Sequence, residues 1–101
     1  MPTDNEKRKH ERKQYFTETL LEFSSGKYEA RISEISLGGC YVDSIASVME
    51  SEAIALTIRI GDGASQRFTG VVAYVLPGFG FGVRFTDLTE EKTDFLRKLI
   101  G

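Results

Sequence analysis

From Tyr15 onward the chain alternates apolar and polar positions with the period of two expected for strands, broken by short stretches rich in glycine, serine and proline. Tyr15–Phe23 is aromatic and β-branched and stops at Ser24-Ser25-Gly26-Lys27, a hairpin-type connection. In Tyr28–Ile35 the residues Tyr28, Ala30 and Ile32 fall on one side and Glu29, Arg31 and Ser33 on the other. The alternation then fails, because continuing it would put Glu34 on the apolar face; a bend or bulge is expected there. Cys40–Val42 reads as a short strand, followed by a polar connection from Asp43 to Glu52 that contains Ile45, Val48 and Met49. Ala53–Ile60 has the cleanest alternation, with Ile54, Leu56, Ile58 and Ile60 opposite Ala55, Thr57 and Arg59. Gly61-Asp62-Gly63-Ala64-Ser65 is a turn. Gln66–Leu76 is apolar on both faces, which predicts a central strand with something covering its second face. After Pro77-Gly78, the stretch Phe79–Phe85 sets Phe79, Phe81, Val83 and Phe85 inward, opposite Gly80, Gly82 and Arg84. The glycines allow the strong coiling that a small barrel requires.

The period changes to that of a helix near the end of the chain. Asp87 or Thr89 caps it, Glu90 and Glu91 occupy its first turn, and Arg97 and Lys98 lie near its end, each sign where the helix dipole favours it. Phe95, Leu96, Leu99 and Ile100 form one apolar stripe, so a helix over 89–100 must pack on the sheet or on a partner. Several short antiparallel strands, tight hairpins and one terminal helix give a mostly β fold, a small barrel with the helix closing one side. Residues 1–13 have no apolar residue after Pro2 and are expected to form a flexible basic arm, with the barrel domain and its helix over 14–101.

Composition narrows the function classes. With 101 residues the chain is one domain with a single modest core. Its 41% hydrophobic and 28% charged content is that of a globular protein rather than a disordered one. The net charge of −2 gives no overall attraction to nucleic acid or an anionic membrane, but it is unevenly placed: residues 7–13 carry +4, leaving −6 for the rest. One cysteine (Cys40) and one histidine (His10) exclude an intrachain disulfide and the thiol/imidazole sets of structural zinc. No apolar run approaches the roughly 18 residues of a spanning helix, and Met1–Arg12 is too polar for a secretory signal. A cytoplasmic location without membrane insertion is expected.

Two stretches bear on chemistry. In Glu34-Ile35-Ser36-Leu37-Gly38-Gly39 a carboxylate acceptor, a hydroxyl and backbone N–H groups near two glycines can hold one face of a small polar ligand, or form an ordinary serine-glycine turn. Arg8 and Arg12 have three residues between them in the arm, as a solubilising tail or as an anion clamp. Guanidinium forks bind phosphate bidentately, stack on aromatic rings and match the O6/N7 edge of guanine. His10 between them reads as a solvated arm residue, and Cys40 as a small inward-facing one. Asp43 and Asp62 are turn residues, with Asp43 near the rim of any site at Glu34–Gly39. Phe81 reads as core and Arg84 as an outward cation able to assist an anion.

Taken together, Arg8-Lys9-His10-Glu11-Arg12 and Glu34-Ile35-Ser36-Leu37-Gly38-Gly39 resemble the two signatures of the PilZ domain family. These are Arg-x-x-x-Arg near the N-terminus and Asp/Asn-x-Ser-x-x-Gly at the start of the barrel. Arg8, Arg12, Ser36 and Gly39 match, and Glu34 stands where the family usually has Asp or Asn. Gly80-Phe81-Gly82-Val83-Arg84-Phe85 is similar to the family's last barrel strand. The resemblance implies a six-stranded antiparallel barrel of the split-barrel type and a bacterial receptor for cyclic di-GMP. Arg8 and Arg12 would bind phosphates and guanine edges, and Glu34, Ser36 and Gly39 would form the opposite wall, with Glu34 accepting from guanine N1–H and N2–H. Such a receptor has no metal or other cofactor and no catalytic role, and it acts on an unidentified protein partner as the arm closes. Two alternatives carry different expectations: a PilZ-like adaptor that binds only proteins, and a nucleic-acid binder using the basic arm, against which the acidic remainder argues.

Overall fold

The computed structural model describes residues 13–59 and 63–100, with the backbone alone for 13–15. Six strands close into an antiparallel barrel in the order β1-β2-β3-β6-β5-β4, where β1 is Lys13–Phe23, β2 Gly26–Ile35, β3 Gly39–Asp43, β4 Ala53–Arg59, β5 Ser65–Leu76 and β6 Gly80–Thr86. The helix α1 is Glu90–Ile100. The mostly β barrel with its C-terminal helix is the architecture expected from the residue pattern. Residues 1–12 of the arm, and Ile60, Gly61 and Asp62 of the β4–β5 connection, lie outside the described residues.

Because every neighbouring pair is antiparallel, the connections sort cleanly to the two ends of the barrel. One end holds the start of β1, the β2–β3 turn, the β4–β5 connection and the exit to α1. The other holds the β1–β2 turn, the β3–β4 connection and the β5–β6 turn. Leu21, Ile32, Val42, Ile58, Phe68, Val72 and Phe81 fill the interior and are almost wholly buried. Phe68 stacks on Phe85 at 4.9 Å between ring centres and meets Phe95 of α1 at 6.0 Å, tying the helix to the core. Leu96 is completely buried, with Phe95, Leu99 and Ile100 packed half-buried around it. Thr89 begins the helix, its hydroxyl accepting from Lys92 N–H at 3.2 Å.

Three bulges explain where simple alternation fails. In β2 the pairing with β3 shifts between Ile32 and Glu34, so Ser33 is the extra residue; Ile32 and Ile35 therefore both enter the core. In β1 a shift between Gln14 and Thr17 leaves Phe16 exposed, with the Arg31 guanidinium 5.5 Å over its ring. In β5 the shift lies between Val72 and Tyr74, which puts Ala73 out of register. The apolar character of both faces of β5 thus reflects a change of phase. Phe68 and Val72 face inward before the bulge, Val75 packs against the core after it, and Tyr74 lies outside. Phe79, expected in the interior, instead sits in the β5–β6 turn and is 74% exposed, since β6 begins one residue later.

Truncating the plug and truncating the turn residue should separate sharply in urea unfolding. Leu96→Ala is expected to cost about 2–5 kcal/mol, whereas Phe79→Ala should stay within about 0.5 kcal/mol of the wild type.

Candidate functional site

The β2–β3 turn is held by its own serine. Ser36 N–H donates to the Gly39 carbonyl at 2.8 Å, and Ser36 Oγ accepts from the N–H groups of Gly38 and Gly39 at 3.1 and 3.2 Å. The same hydroxyl donates back to the Gly39 carbonyl over a longer 3.3 Å. One donor and two acceptor positions are all a hydroxyl has, so Ser36 is fully engaged and only 8% exposed. The two glycine amides that the sequence offered as ligand donors are therefore spent on the turn. Phe85 N–H donates to the Gly38 carbonyl at 2.9 Å and fastens the turn to β6.

Gly39 has a structural reason of its own, set by the distant strand β6. It pairs with Arg84 across β3–β6, and a Cβ built there would lie 2.0 Å from the Val83 carbonyl oxygen. No side chain fits between two backbones at that separation. The consequence for the surface is that Arg84, exposed on the outer face of β6, lies beside the turn.

Glu34 sits just past the β2 bulge, half-buried, opposite Tyr41 on one side and Gln14 on the other. A row continues across the outer face from Glu34 to Tyr41, Gly82 and Tyr74. Tyr41 and Tyr74 stack at 6.3 Å with an interplanar angle of 26°. Gly82 is the floor beneath them: a Cβ there would stand 2.3 Å from the Tyr74 ring. The phenol of Tyr41 is held above its ordinary pKa of 10.0 by burial first, then by the negative charges it would face at Asp43, Tyr74 and Glu34. Asp43 itself is engaged with Arg31 at 3.3 Å and with the Ser33 hydroxyl at 3.4 Å. The exposed ion pair stabilises little, and its effect is to orient the rim. Tyr41 was not singled out from the sequence; its pairing opposite Glu34 depends on the bulge register, which no local pattern reveals.

A shallow hollow of about 650 Å³ lies further round the outer face, lined by Glu18, Leu20, Glu29, Arg31, Asp43 and Arg59 among others. It meets the candidate wall only through the Arg31–Asp43 pair and contains none of Glu34, Ser36 or Gly39. Of the residues singled out from the sequence, the structure thus brings Glu34, Ser36 and Gly39 together around one turn with Arg84 beside it. Arg8, His10 and Arg12 lie outside the described residues.

The chain belongs to the PilZ domain family, whose family model matches residues 6–101. It is similar in structure to the Bacillus subtilis inhibitor of motility MotI/DgrA, with a TM-score of 0.80 and 16% identity over 92% of this chain and 48% of that one. It therefore spans about half the length of that protein. It is also similar to the PilZ domain of YcgR from Escherichia coli, solved with c-di-GMP, at a TM-score of 0.76 and 16% identity over 92% and 88% of the two chains. The PilZ domain of CeSA from a cellulose-synthesizing bacterium gives 0.69 and 14% over 89% and 94%. At these identities the likeness is one of fold. No curated protein matches the sequence. Among the described residues no helix is long and apolar enough to cross a membrane.

Removing the Ser36 hydroxyl orphans two amides, so Ser36→Ala should cost about 1–3 kcal/mol in unfolding measurements. Gly39→Ala should lose the closed barrel altogether, seen as collapse of the amide dispersion in NMR spectra. The Tyr41 phenol should titrate above 10.0, read by difference absorbance against Tyr41→Phe, and Asp43→Asn should bring it down. With the folded pKa above the unfolded one, this group's contribution to stability is complete below the unfolded pKa and is lost as pH rises through the folded value.

Proposed function

We propose that this PilZ domain is a regulatory receptor for cyclic di-GMP, which binds between the N-terminal arm and the outer face of the β2–β3 turn. The observation that carries the reading is the register of β1. Lys13 pairs with Ile35, the residue before Ser36, so the arm joins the barrel directly beside the wall. Arg12 is one peptide bond from Lys13, and Arg8 four residues further back. Both can close over a nucleotide lying against Glu34, binding its phosphates and guanine edges with their guanidinium forks. Glu34 accepts from guanine N1–H and N2–H, which adenine cannot reproduce. Ser36 and Gly39 serve by holding the wall's shape rather than by free polar groups, and Arg84 adds a cation at its edge.

The domain has no catalytic role in this reading. It is a cytoplasmic module, with the arm ending at Arg12 rather than at the expected residue 13, since Lys13 already belongs to β1, and with cyclic di-GMP as ligand rather than cofactor. Ordering the arm changes the surface offered to a protein partner. A second reading is favoured by one specific observation. Ser36 and Gly39 are both needed to close the β2–β3 turn, so they would be kept in an adaptor that has lost the nucleotide and binds only proteins.

Calorimetric titration of cyclic di-GMP separates the two. The receptor reading predicts saturable heat with the wild type, and a loss of about ten- to a hundred-fold in affinity for Arg8→Ala and for Glu34→Ala. No heat from the wild type at high micromolar nucleotide would leave only the adaptor.

A further inference from the structure

The barrel end remote from the nucleotide wall carries an unexpected concentration of apolar surface. Among the described residues, seven large apolar side chains are exposed, and five of them belong to this end: Tyr28, Ile45, Met49, Leu76 and Phe79. Ile45, Met49 and Phe79 are the most exposed of all, at 89%, 74% and 74%. Core formation does not account for them, since the interior beneath is already filled by Phe81, Val42 and the half-buried Val48 and Phe23.

These side chains are presented by well-tied backbone. Pro77 and Gly78 form a turn closed by Phe79 N–H to the Leu76 carbonyl at 2.9 Å, with φ of 84° at Gly78. Ser44 N–H donates to the Phe79 carbonyl at 3.1 Å, which sets Ile45 beside that turn. The rest of the β3–β4 connection is held by Ala46 N–H to Ser44 Oγ at 3.0 Å, Met49 N–H to a Glu52 carboxylate oxygen at 3.0 Å, and Ser51 N–H to the Val72 carbonyl at 2.7 Å. Ser51 takes a positive φ of 71° to make the last of these. Apolar groups fixed outward in this way lose little entropy when covered, which is the preorganisation that favours binding.

Charge decides what covers them. The β3–β4 connection and the β5–β6 turn, which carry Ile45, Met49 and Phe79, hold Glu50 and Glu52 and no cation, and Lys27 at the neighbouring β1–β2 turn stands across from Glu22. Two acidic fringes would oppose each other in an end-to-end pair of this chain, and they disfavour an anionic membrane surface. The chain's own basic arm has no apolar residue after Pro2 with which to fill the patch. What fits is an apolar face flanked by lysine or arginine. We propose that this end docks a basic amphipathic segment of another protein, with Ile45 and Phe79 as anchors and Glu50 as the charge partner. The surface stands at the opposite end of β3 from Gly39, about 13 Å along the strand, so it is separate from the arm and stands independently of the nucleotide reading.

The test uses the full chain and two labelled probes of the same helical pattern, one built from leucine and lysine, the other from leucine and glutamate. Fluorescence anisotropy should show saturable binding of the lysine probe alone. The Ile45→Ser/Phe79→Ser double variant should weaken it about ten-fold or more, Glu50→Lys should weaken it further as salt is lowered, and Leu88→Ser at the other end should leave it unchanged. Equal binding by the double variant, equal binding of the glutamate probe, or no binding of either would overturn the proposal. So would wild-type self-association in sedimentation velocity, or flotation with phosphatidylglycerol vesicles, that the double variant loses. The substituted residues are surface-exposed, and matching melting curves establish that the variants are folded.

Discussion

The close approach of Gly39 to the Val83 carbonyl is the contact on which this structure turns. β3 is only five residues long, yet it alone links β2 to β6 and so completes the barrel. Its first residue must lie against the β6 backbone with no side chain between them, and Ser36 supplies the hydrogen bonds that turn the chain into that position. The turn, the closure of the barrel and the wall beside the arm are one construction. A motif that resembles a ligand site is here first a folding device, and the binding role proposed for it rests on the surface that the folding device leaves outside.

The closed barrel also divides labour between its ends. At one end Leu96 plugs the core, and the β2–β3 turn, the first residues of β1 and Arg84 lie at or near the rim. At the other, hydrogen-bonded turns hold out apolar side chains beside Glu50 and Glu52. β-strands transmit position well along their length, and a five-residue strand separates the two rims. The two proposed sites, for nucleotide and for partner, accordingly lie on different edges of the same small core.

Much of this was legible from residue order. The alternation of Ala53–Ile60 and the stripe of Phe95, Leu96, Leu99 and Ile100 each report which side meets the core, because burial selects for it directly. Failure of alternation at Glu34 pointed to a bulge, and the extra residue is Ser33. The β5 bulge was not legible: an apolar run reads the same whether it is buried on both faces or changes phase midway, and only pairing with β6 distinguishes them. Phe79 misled for a related reason, since an aromatic at the end of an alternating run continues the pattern even when the backbone has already turned. The job of Gly39 was hidden because it depends on Val83, more than forty residues away, whereas Ser36 bonds only to Gly38 and Gly39 within the serine-glycine turn that residue order already allowed. Arg8 and Arg12 were recognisable only as a spaced pair in company with the second motif.

The central claim is that the arm closes over a nucleotide held against Glu34 and the β2–β3 turn. Hydrogen exchange followed with and without saturating cyclic di-GMP tests it most directly. The account predicts new protection of the amides of Lys7–Arg12, lost in Arg12→Ala. Bound nucleotide with unchanged exchange across those residues would contradict it.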